Sequence, residues 1–299
     1  MSVQHRFHRI KIVFHPASGR GLGSRRATQL AQRLADAGIQ ANLLDVSSLP
    51  SARIAAQLAE ADAVVVVGGD GLLHHVVQVL AGTGIPLGII PAGSGNDTWR
   101  MLRDANPAQS MDRVASFLGG GTAAHPVDLL EVEFDETPHR TRLVVGAISW
   151  GFEATVNARA NRLPRGLGSL RYVVALPLCL PRLSAFDTRV AAKGLDYRGP
   201  ALAASIANIR SLGGGITLFA SAEFDDGLAD LSLVRGGRIA PVLRYVPRIL
   251  AGREHPFRVS ARAKEFRVGA AGDCYADGER LGRGALTVRV VPGALPLMR

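Results

Sequence analysis

The chain has 299 residues, 47% of them hydrophobic and 20% charged, a balance that excludes extended disorder and suits one large domain or two of ordinary size. Its formal net charge is +10, and only Lys11, Lys193 and Lys264 among the 35 basic residues are lysines. An arginine excess of this kind either reflects base composition alone or favours anionic partners such as nucleotide phosphates and acidic lipid; dispersed basic residues and 5% aromatics speak against nucleic acid.

The first third predicts alternating strands and helices. "RIKIVF" (9–14) reads as a strand, "SRRATQLAQRLADAG" (24–38) as a helix by its 3- and 4-residue apolar spacing, and "IQANLLDV" (39–46) as a second strand. A helix over 52–61 then leads to the strand "AVVVV" (63–67), a helix through His75 to Leu80, and the strand "PLGIIP" (86–91). This alternation predicts a Rossmann-like parallel α/β domain whose ligands bind beyond the carboxyl ends of the strands. From about residue 127 period-2 segments take over, at 125–134, 140–149, 186–194, 201–209, 229–235, 256–269 and 284–293, predicting a second domain of antiparallel strands, a β-sandwich. Helical interruptions are expected near 167–181 and 240–251. The predicted division is 1–127, with 290–299 packing back on it, and 128–289.

Nothing at the N-terminus has the continuous apolar core of an export signal, and "YVVALPLCLP" (172–181) is far shorter than the ~20 residues of a spanning helix. The two cysteines, Cys179 and Cys274, lie far apart with no C-x-x-C spacing and suggest neither a disulfide framework nor a zinc cage, which fits a reduced cytosol.

Three loops at predicted strand ends are built of small residues that let backbone N–H groups approach a ligand. In "HPASGRGLGS" (15–24), Ser18 and Gly19 can present N–H groups near a helix N-terminus. In Gly68-Gly69-Asp70-Gly71 the alternative is a tight turn with a helix-capping aspartate. In "PAGSGND" (91–97), Gly93, Ser94, Gly95 and Asn96 form a further phosphate-cradle candidate. Two such loops on neighbouring strand ends point to a nucleotide better than either does alone.

With "PAGSGND", the Gly68–Gly71 segment resembles the diacylglycerol kinase catalytic-domain family, including bacterial lipid kinases and sphingosine kinases, with NAD kinases and phosphofructokinases as more distant kin. The resemblance continues in order through "SWGFEATV" (149–156), "LGSLRYVVAL" (167–176), "GGGITLFASAEFDDGLADLSLV" (213–234) and "YADGE" (275–279). It implies an ATP-dependent kinase acting on a hydroxyl of diacylglycerol or a related long-chain lipid, with Mg2+ as cofactor. ATP would bind Ser18, Gly19, the run Gly68, Gly69, Asp70, Gly71, Leu72, Leu73, His74 and His75, and Gly93, Ser94, Gly95 and Asn96. Asp277 would accept the proton, supported by Glu279, with Asp70 also catalytic. Asp226 would hold magnesium with the main-chain carbonyls of Glu223 and Leu228, one carboxylate and carbonyls being hard oxygen donors. Asp128 matches a family aspartate expected in a network with Asp70. By itself, each Asp-Gly pair at 226 and 277 reads equally as a β-turn.

Two departures from the family pattern stand out. Leu72 and His74 match the sphingosine-kinase variant, whereas His75 replaces a glutamate and removes a carboxylate from the nucleotide loop. His15 replaces an asparagine in the first loop. Adjacent histidines diverge by about 100° on a helix and do not chelate together. Along 157–183, Arg159, Arg162, Arg165 and Arg171 flank an apolar run, which reads either as a lipid-entry surface in peripheral contact with the inner membrane face or as an ordinary amphipathic helix. The rival readings are an NAD-kinase-like enzyme with a soluble acceptor and a catalytically weak nucleotide-binding regulator. Sequence leaves the acceptor and the oligomeric state open, a homodimer included.

Overall fold

The computed structural model describes residues 7–299 apart from 122, 137–140, 165, 166, 169, 238, 270 and 271. The chain divides into two compact units, Met1–Val127 with Gly293–Arg299, and Asp128–Pro292.

In the first unit β1 (Ile10–Phe14), α1 (Leu22–Asp36), β2 (Ala41–Asp45), α2 (Ser51–Ala59), β3 (Ala63–Gly68), α3 (Asp70–Leu80), β4 (Leu87–Pro91), α4 (Asp97–Arg100) and α5 (Pro107–Leu118) follow one another. The strands pair in parallel in the order β2-β1-β3-β4. All six residues of β3 are buried, as expected for a β-branched strand with partners on both edges and helices on both faces. Helix α1 turns Ala27, Leu30 and Leu34 inward at helical spacing, and they join Ile10, Ile12 and Val65 in one cluster. Helix α5, in a stretch for which no element is predicted, starts at an Asn106 cap whose side chain accepts the Gln109 N–H at 3.0 Å, with Pro107 in the first turn.

The second unit carries β5 (His125–Phe134, its first residues in the other unit), β6 (Arg142–Val144), β7 (Ala147–Gly151), α6 (Phe152–Arg162), α7 (Leu170–Cys179), β8 (Phe186–Ala192) and β9 (Leu195–Ala207). There follow β10 (Ser211–Leu212), β11 (Ile216–Thr217), β12 (Ala229–Arg235), α8 (Ile239–Leu243), α9 (Val246–Leu250), β13 (Arg258–Ala263), β14 (Glu265–Gly269), β15 (Asp273–Ala276), β16 (Glu279–Arg283) and β17 (Leu286–Leu297), which ends in the first unit. Strand β9 is the hub. Its first half pairs with β8, and its second half lies between β7 and β12, all antiparallel. One cluster containing Leu130, Trp150, Ile206, Leu231, Phe266 and Val288 fills the resulting sandwich.

Three differences from the predicted elements have physical causes. The single strand expected over 256–269 breaks at Lys264, because β13 pairs with β12 whereas β14 pairs with β8 and β17. The helix expected over 240–251 is two short helices, with Pro247 opening the second, where its missing N–H costs nothing. Helix α6 is absent from the predicted elements because its inward side is partly polar, so its apolar periodicity is weak.

The C-terminal return completes the first unit: Leu295 and Met298 have no exposed surface, and the Met298 N–H donates to the Leu87 carbonyl at 2.9 Å. Met298 Sδ would lie 3.0 Å from a Cβ on Gly88, so the side chain fills the space that this glycine leaves. Met298→Ala should therefore destabilise the protein by about 2–5 kcal/mol, read as a lower urea midpoint at unchanged slope.

Candidate active site

The three glycine-bearing loops of the first unit lie against one another at the carboxyl ends of β1, β3 and β4. A Cβ on Gly93 would sit 2.3 Å from the Gly69 Cα, and a Cβ on Gly69 would sit 2.8 Å from the Gly93 Cα, so the second and third loops touch backbone to backbone. The Ala92 N–H donates to the Gly68 carbonyl at 2.7 Å. The first loop joins them at Gly19, whose φ of +55° is left-handed and whose Cβ would strike the Ala92 carbonyl oxygen at 2.3 Å. Small residues are therefore required for packing among the loops as well as for ligand approach.

Asp70 ties two loops together. Its carboxylate accepts the N–H groups of Asp97 and Thr98, each at 3.1 Å, and so caps α4 from 27 residues away in sequence. Asn96 closes the third loop on itself: its Oδ1 accepts the Gly93 N–H at 2.9 Å, and its Nδ2 donates to the Gly93 carbonyl at 3.0 Å. At φ +56° Asn96 holds a left-handed backbone that asparagine tolerates better than most residues. The first-turn N–H groups of α3, at Gly71 and Leu72, have no helical carbonyl four residues back, and with the helix dipole they make this end electropositive.

Several expected nucleotide residues play other parts. Leu73 is 2% exposed and His74 5%: with α3 beginning at Asp70, these positions turn into the core with Val77. His75 is exposed, with its ring edge-on to His74 at a centroid distance of 5.8 Å. The side chain of Leu72 packs over Gly68. The Ser18 N–H is used within its loop, donating to the His15 carbonyl at 2.9 Å, so it is not presented to a ligand as expected. His15 Nδ1 accepts the Ala17 N–H at 3.2 Å, doing in this turn what an asparagine side chain does in an Asx-turn.

In the second unit Asp277 and Gly278 are the two residues of a hairpin between β15 and β16, with φ +50° and +88° and with Ala276 facing Glu279 in register. Positive φ at both positions is the type I′ arrangement that tight hairpins favour. Its aspartate also does more than turn the chain: the carboxylate accepts the Gly146 N–H at 3.0 Å and the Val145 N–H at 3.3 Å. A Cβ on Gly146 would sit 2.6 Å from Asp277 Oδ1, so only glycine fits there. That glycine interrupts a predicted strand, which is the sequence signal of a close backbone approach. Glu279 is exposed on β16, next to the hairpin.

Helix α6 holds the same hairpin from the other side. Asn161 Nδ2 donates to the Gly278 carbonyl at 2.8 Å, Asn157 Nδ2 lies 3.5 Å from Ser149 Oγ, and the Ser205 hydroxyl bonds the Glu153 carboxyl. Residues 153, 157 and 161 recur every four positions, so these polar side chains form one row along the helix facing β9, β7 and the hairpin. Tyr172 of α7 comes near as well, its hydroxyl 3.6 Å from the position of a Cβ on Gly278. None of the row was singled out as a site residue: Glu153 lies within the "SWGFEATV" segment, but Asn157 and Asn161 are dispersed polar residues without a motif.

The Asp226 carboxylate bonds the Arg262 guanidinium and accepts the Leu228 N–H at 3.0 Å, while Arg262 also lies 3.2 Å from Asp230. A guanidinium thus stands where the resemblance implies magnesium, and both Asp226 oxygens have partners inside the chain. Glu223 pairs through its side chain with Arg210. Among the described residues no three acidic, histidine or cysteine side chains group as a metal site. As arranged, this donor set does not fit a bound divalent cation. Asp128 is 3% exposed and accepts the Gly227 N–H at 2.6 Å, which fixes the Asp226-Gly227 turn.

Comparison with known proteins bears on the family and the fold. Residues 9–132 match the model of the diacylglycerol kinase catalytic domain, and residues 146–299 match that of the YegS C-terminal NAD kinase beta sandwich-like domain. A protein named diacylglycerol kinase from Mycobacterium tuberculosis (strain ATCC 25618 / H37Rv) is 34% identical over 305 residues, covering 99% of this chain and 96% of its own. One of the same name from Bacillus subtilis (strain 168) is 27% identical, covering 83% and 80%. The crystal structure of a diacylglycerol kinase from Bacillus anthracis str. Sterne shares the fold, with a TM-score of 0.72 over 99% of this chain and 98% of that one at 18% identity. A parallel α/β unit with a glycine-loop cradle, followed by an antiparallel sandwich, is thus the architecture of a kinase. The chain belongs to the diacylglycerol kinase catalytic-domain family.

Burial against the sheet pushes the Glu153 carboxyl from its ordinary 4.5 up to about 8. Between these values the folded protein keeps a proton that the unfolded chain has released, so stability falls as pH rises through this window and levels off above it. Glu153→Gln removes that titration. Its melting temperature should therefore change less than that of the parent between about pH 5 and pH 8 and exceed it at the upper end.

Proposed function

We propose that this protein is an ATP-dependent lipid kinase that transfers the γ-phosphoryl group to a hydroxyl of diacylglycerol or a related long-chain lipid. The observation that carries the reading is the Asp277 carboxylate, held at a hairpin by two backbone N–H groups and accompanied by a glycine-loop cradle in the other unit. ATP phosphates are assigned to the loops carrying Gly19, Gly69 to Leu72, and Gly93 to Asn96, where α3 presents its electropositive end. Ser94 contacts the nucleotide from the third loop. Asp70 serves there as the residue that keeps two loops in register, since its carboxylate caps α4.

Asp277 acts as general base. It takes the proton of the acceptor hydroxyl as that oxygen attacks the γ-phosphorus; the new P–O bond forms as the bond to the bridging oxygen breaks, and ADP leaves with the electron pair. Two backbone donors fix the orientation of this carboxylate, so it meets the hydroxyl without first reorganising. Magnesium bound with the nucleotide would offset phosphate charge, and no step here passes through Asp226. The names of the curated relatives support a lipid acceptor, as do the arginines and apolar side chains of α6 and α7, which favour peripheral contact with the inner face of a membrane. No described helix is long and apolar enough to cross one.

Radiolabelled ATP incubated with extracted lipids, and in parallel with NAD, tests the assignment. Label should enter the lipid fraction, and Asp277→Asn should lower that transfer by at least about a hundredfold while ATP still binds. Label in NAD alone would overturn the lipid reading, and binding of ATP with no transfer to any acceptor would favour a regulatory protein. A second measurement concerns the metal. Magnesium added without nucleotide should give the parent and Asp226→Asn the same small change in melting temperature, because Arg262 already occupies that carboxylate.

A further inference from the structure

Residues 15–35, the first loop and most of α1, hold four arginines and no acidic residue. Three of the described arginines of the first unit are half-buried: Arg26, Arg33 and Arg113. Arg33 stands 2.7 Å from the Asp112 carboxylate and Arg113 2.6 Å from that of Asp104. Arg26 has no carboxylate beside it among the described residues; its Nη1 donates to the Pro91 carbonyl. Burial, and next the charge of the neighbouring Arg25, hold its pKa below the ordinary value.

The place of that contact gives the missing negative charge a source. Pro91 ends β4 opposite Gly68 at the end of β3, and the next carbonyl, that of Ala92, is the one against which Gly19 packs. The Arg26 guanidinium is therefore held one residue from the point where the first loop meets the third. Helical side chains lean toward the N-terminus of their helix, which carries Arg26 from the second turn of α1 back toward the carboxyl ends of the strands. A half-buried cation without an acid bears a desolvation cost that no partner in the unit offsets. Its fork has five N–H donors, the single Pro91 carbonyl takes up one nitrogen, and the same fork matches the oxygens of a phosphate. The backbone N–H groups of the loops and the end of α3 carry only partial charges.

We propose that Arg26 is a phosphate-binding residue: with Nη1 held on Pro91, the rest of its fork donates to a polyphosphate lying on the glycine loops and supplies the full positive charge that the backbone N–H groups lack. The inference rests on the assignment of the nucleotide phosphates to these loops. It involves no acceptor, so it stands or falls apart from lipid phosphorylation.

Full-length protein is titrated calorimetrically with inorganic tripolyphosphate and with ATP at about 0.05 and about 0.5 M salt. Arg26→Gln should bind both at least about tenfold more weakly at low salt. Its difference from the parent should shrink at high salt, because the lost contact is electrostatic. Arg26→Lys keeps the charge without the fork and should fall between the two. Arg9→Gln removes the same charge just before β1, at the opposite end of that strand from the first loop, and should bind like the parent. Melting temperatures without ligand verify that each variant is folded. If Arg26→Gln does not fold, Arg26→Lys decides, and binding equal to that of the parent overturns the proposal. Unchanged binding in Arg26→Gln, a loss that is the same at both salt concentrations, or no binding of tripolyphosphate by the parent would also overturn it. Lipid phosphorylation by the parent is measured beside these titrations. Phosphorylation with tripolyphosphate binding indifferent to Arg26 removes this inference and leaves the kinase reading; Arg26-dependent binding without phosphorylation of any lipid does the reverse.

Discussion

The close approach of Gly69 to Gly93 is the constraint on which the loop cluster of the first unit depends. A single added Cβ at either position would collide with the other backbone, so the loops after β3 and β4 can lie side by side only while both lack side chains. Once they do, the Asp70 carboxylate can reach the N-terminus of α4, and Asn96 can take the left-handed turn that folds its amide back on Gly93. The first loop joins through Gly19 against the Ala92 carbonyl. The cradle is thus a backbone object, and its polar side chains act mainly as fasteners.

The second unit uses a related device with the roles changed. In the Asp277-Gly278 hairpin a charged residue occupies a left-handed position, and the strain is offset by anchoring both residues: the Asp277 carboxylate on Val145 and Gly146, the Gly278 carbonyl on Asn161. Being a turn and holding a fixed carboxylate are therefore one arrangement, not alternatives. The polar row of α6 continues from Asn161 through Asn157 to Glu153, whose carboxyl lies against the sheet and stays protonated to about pH 8. A helix that seats polar groups on a sheet gives up hydrophobic burial and gains a fixed register, because each polar group must find its own partner.

Much of the fold was legible in the sequence. Valines 64 to 67 announced a buried strand, the 3- and 4-residue spacing after residue 24 announced α1, and period-2 segments announced the second unit. The candidate site was legible as motifs, because glycine runs and Asp-Gly pairs are local. Their partners were not. That Asp226 would meet Arg262, that Leu73 would turn into the core, and that the Ser18 N–H would be used within its own turn all depend on where a helix begins or which strand lies alongside. His75 shows the same limit: its identity was readable, but its exposed place on α3 follows from the helix starting at Asp70.

By itself the sequence determined most of the strands and helices of the first unit and the glycine runs at its strand ends, since periodicity and backbone freedom are properties of residues near one another in the chain. Only the tertiary structure decided which groups hold one another. Asp277 and Gly146 are 131 residues apart, and Asp70 and Thr98 are 28 apart. A hydrogen bond or a packing contact acts over a few ångströms of space, and separation along the chain does not say which residues will come that close.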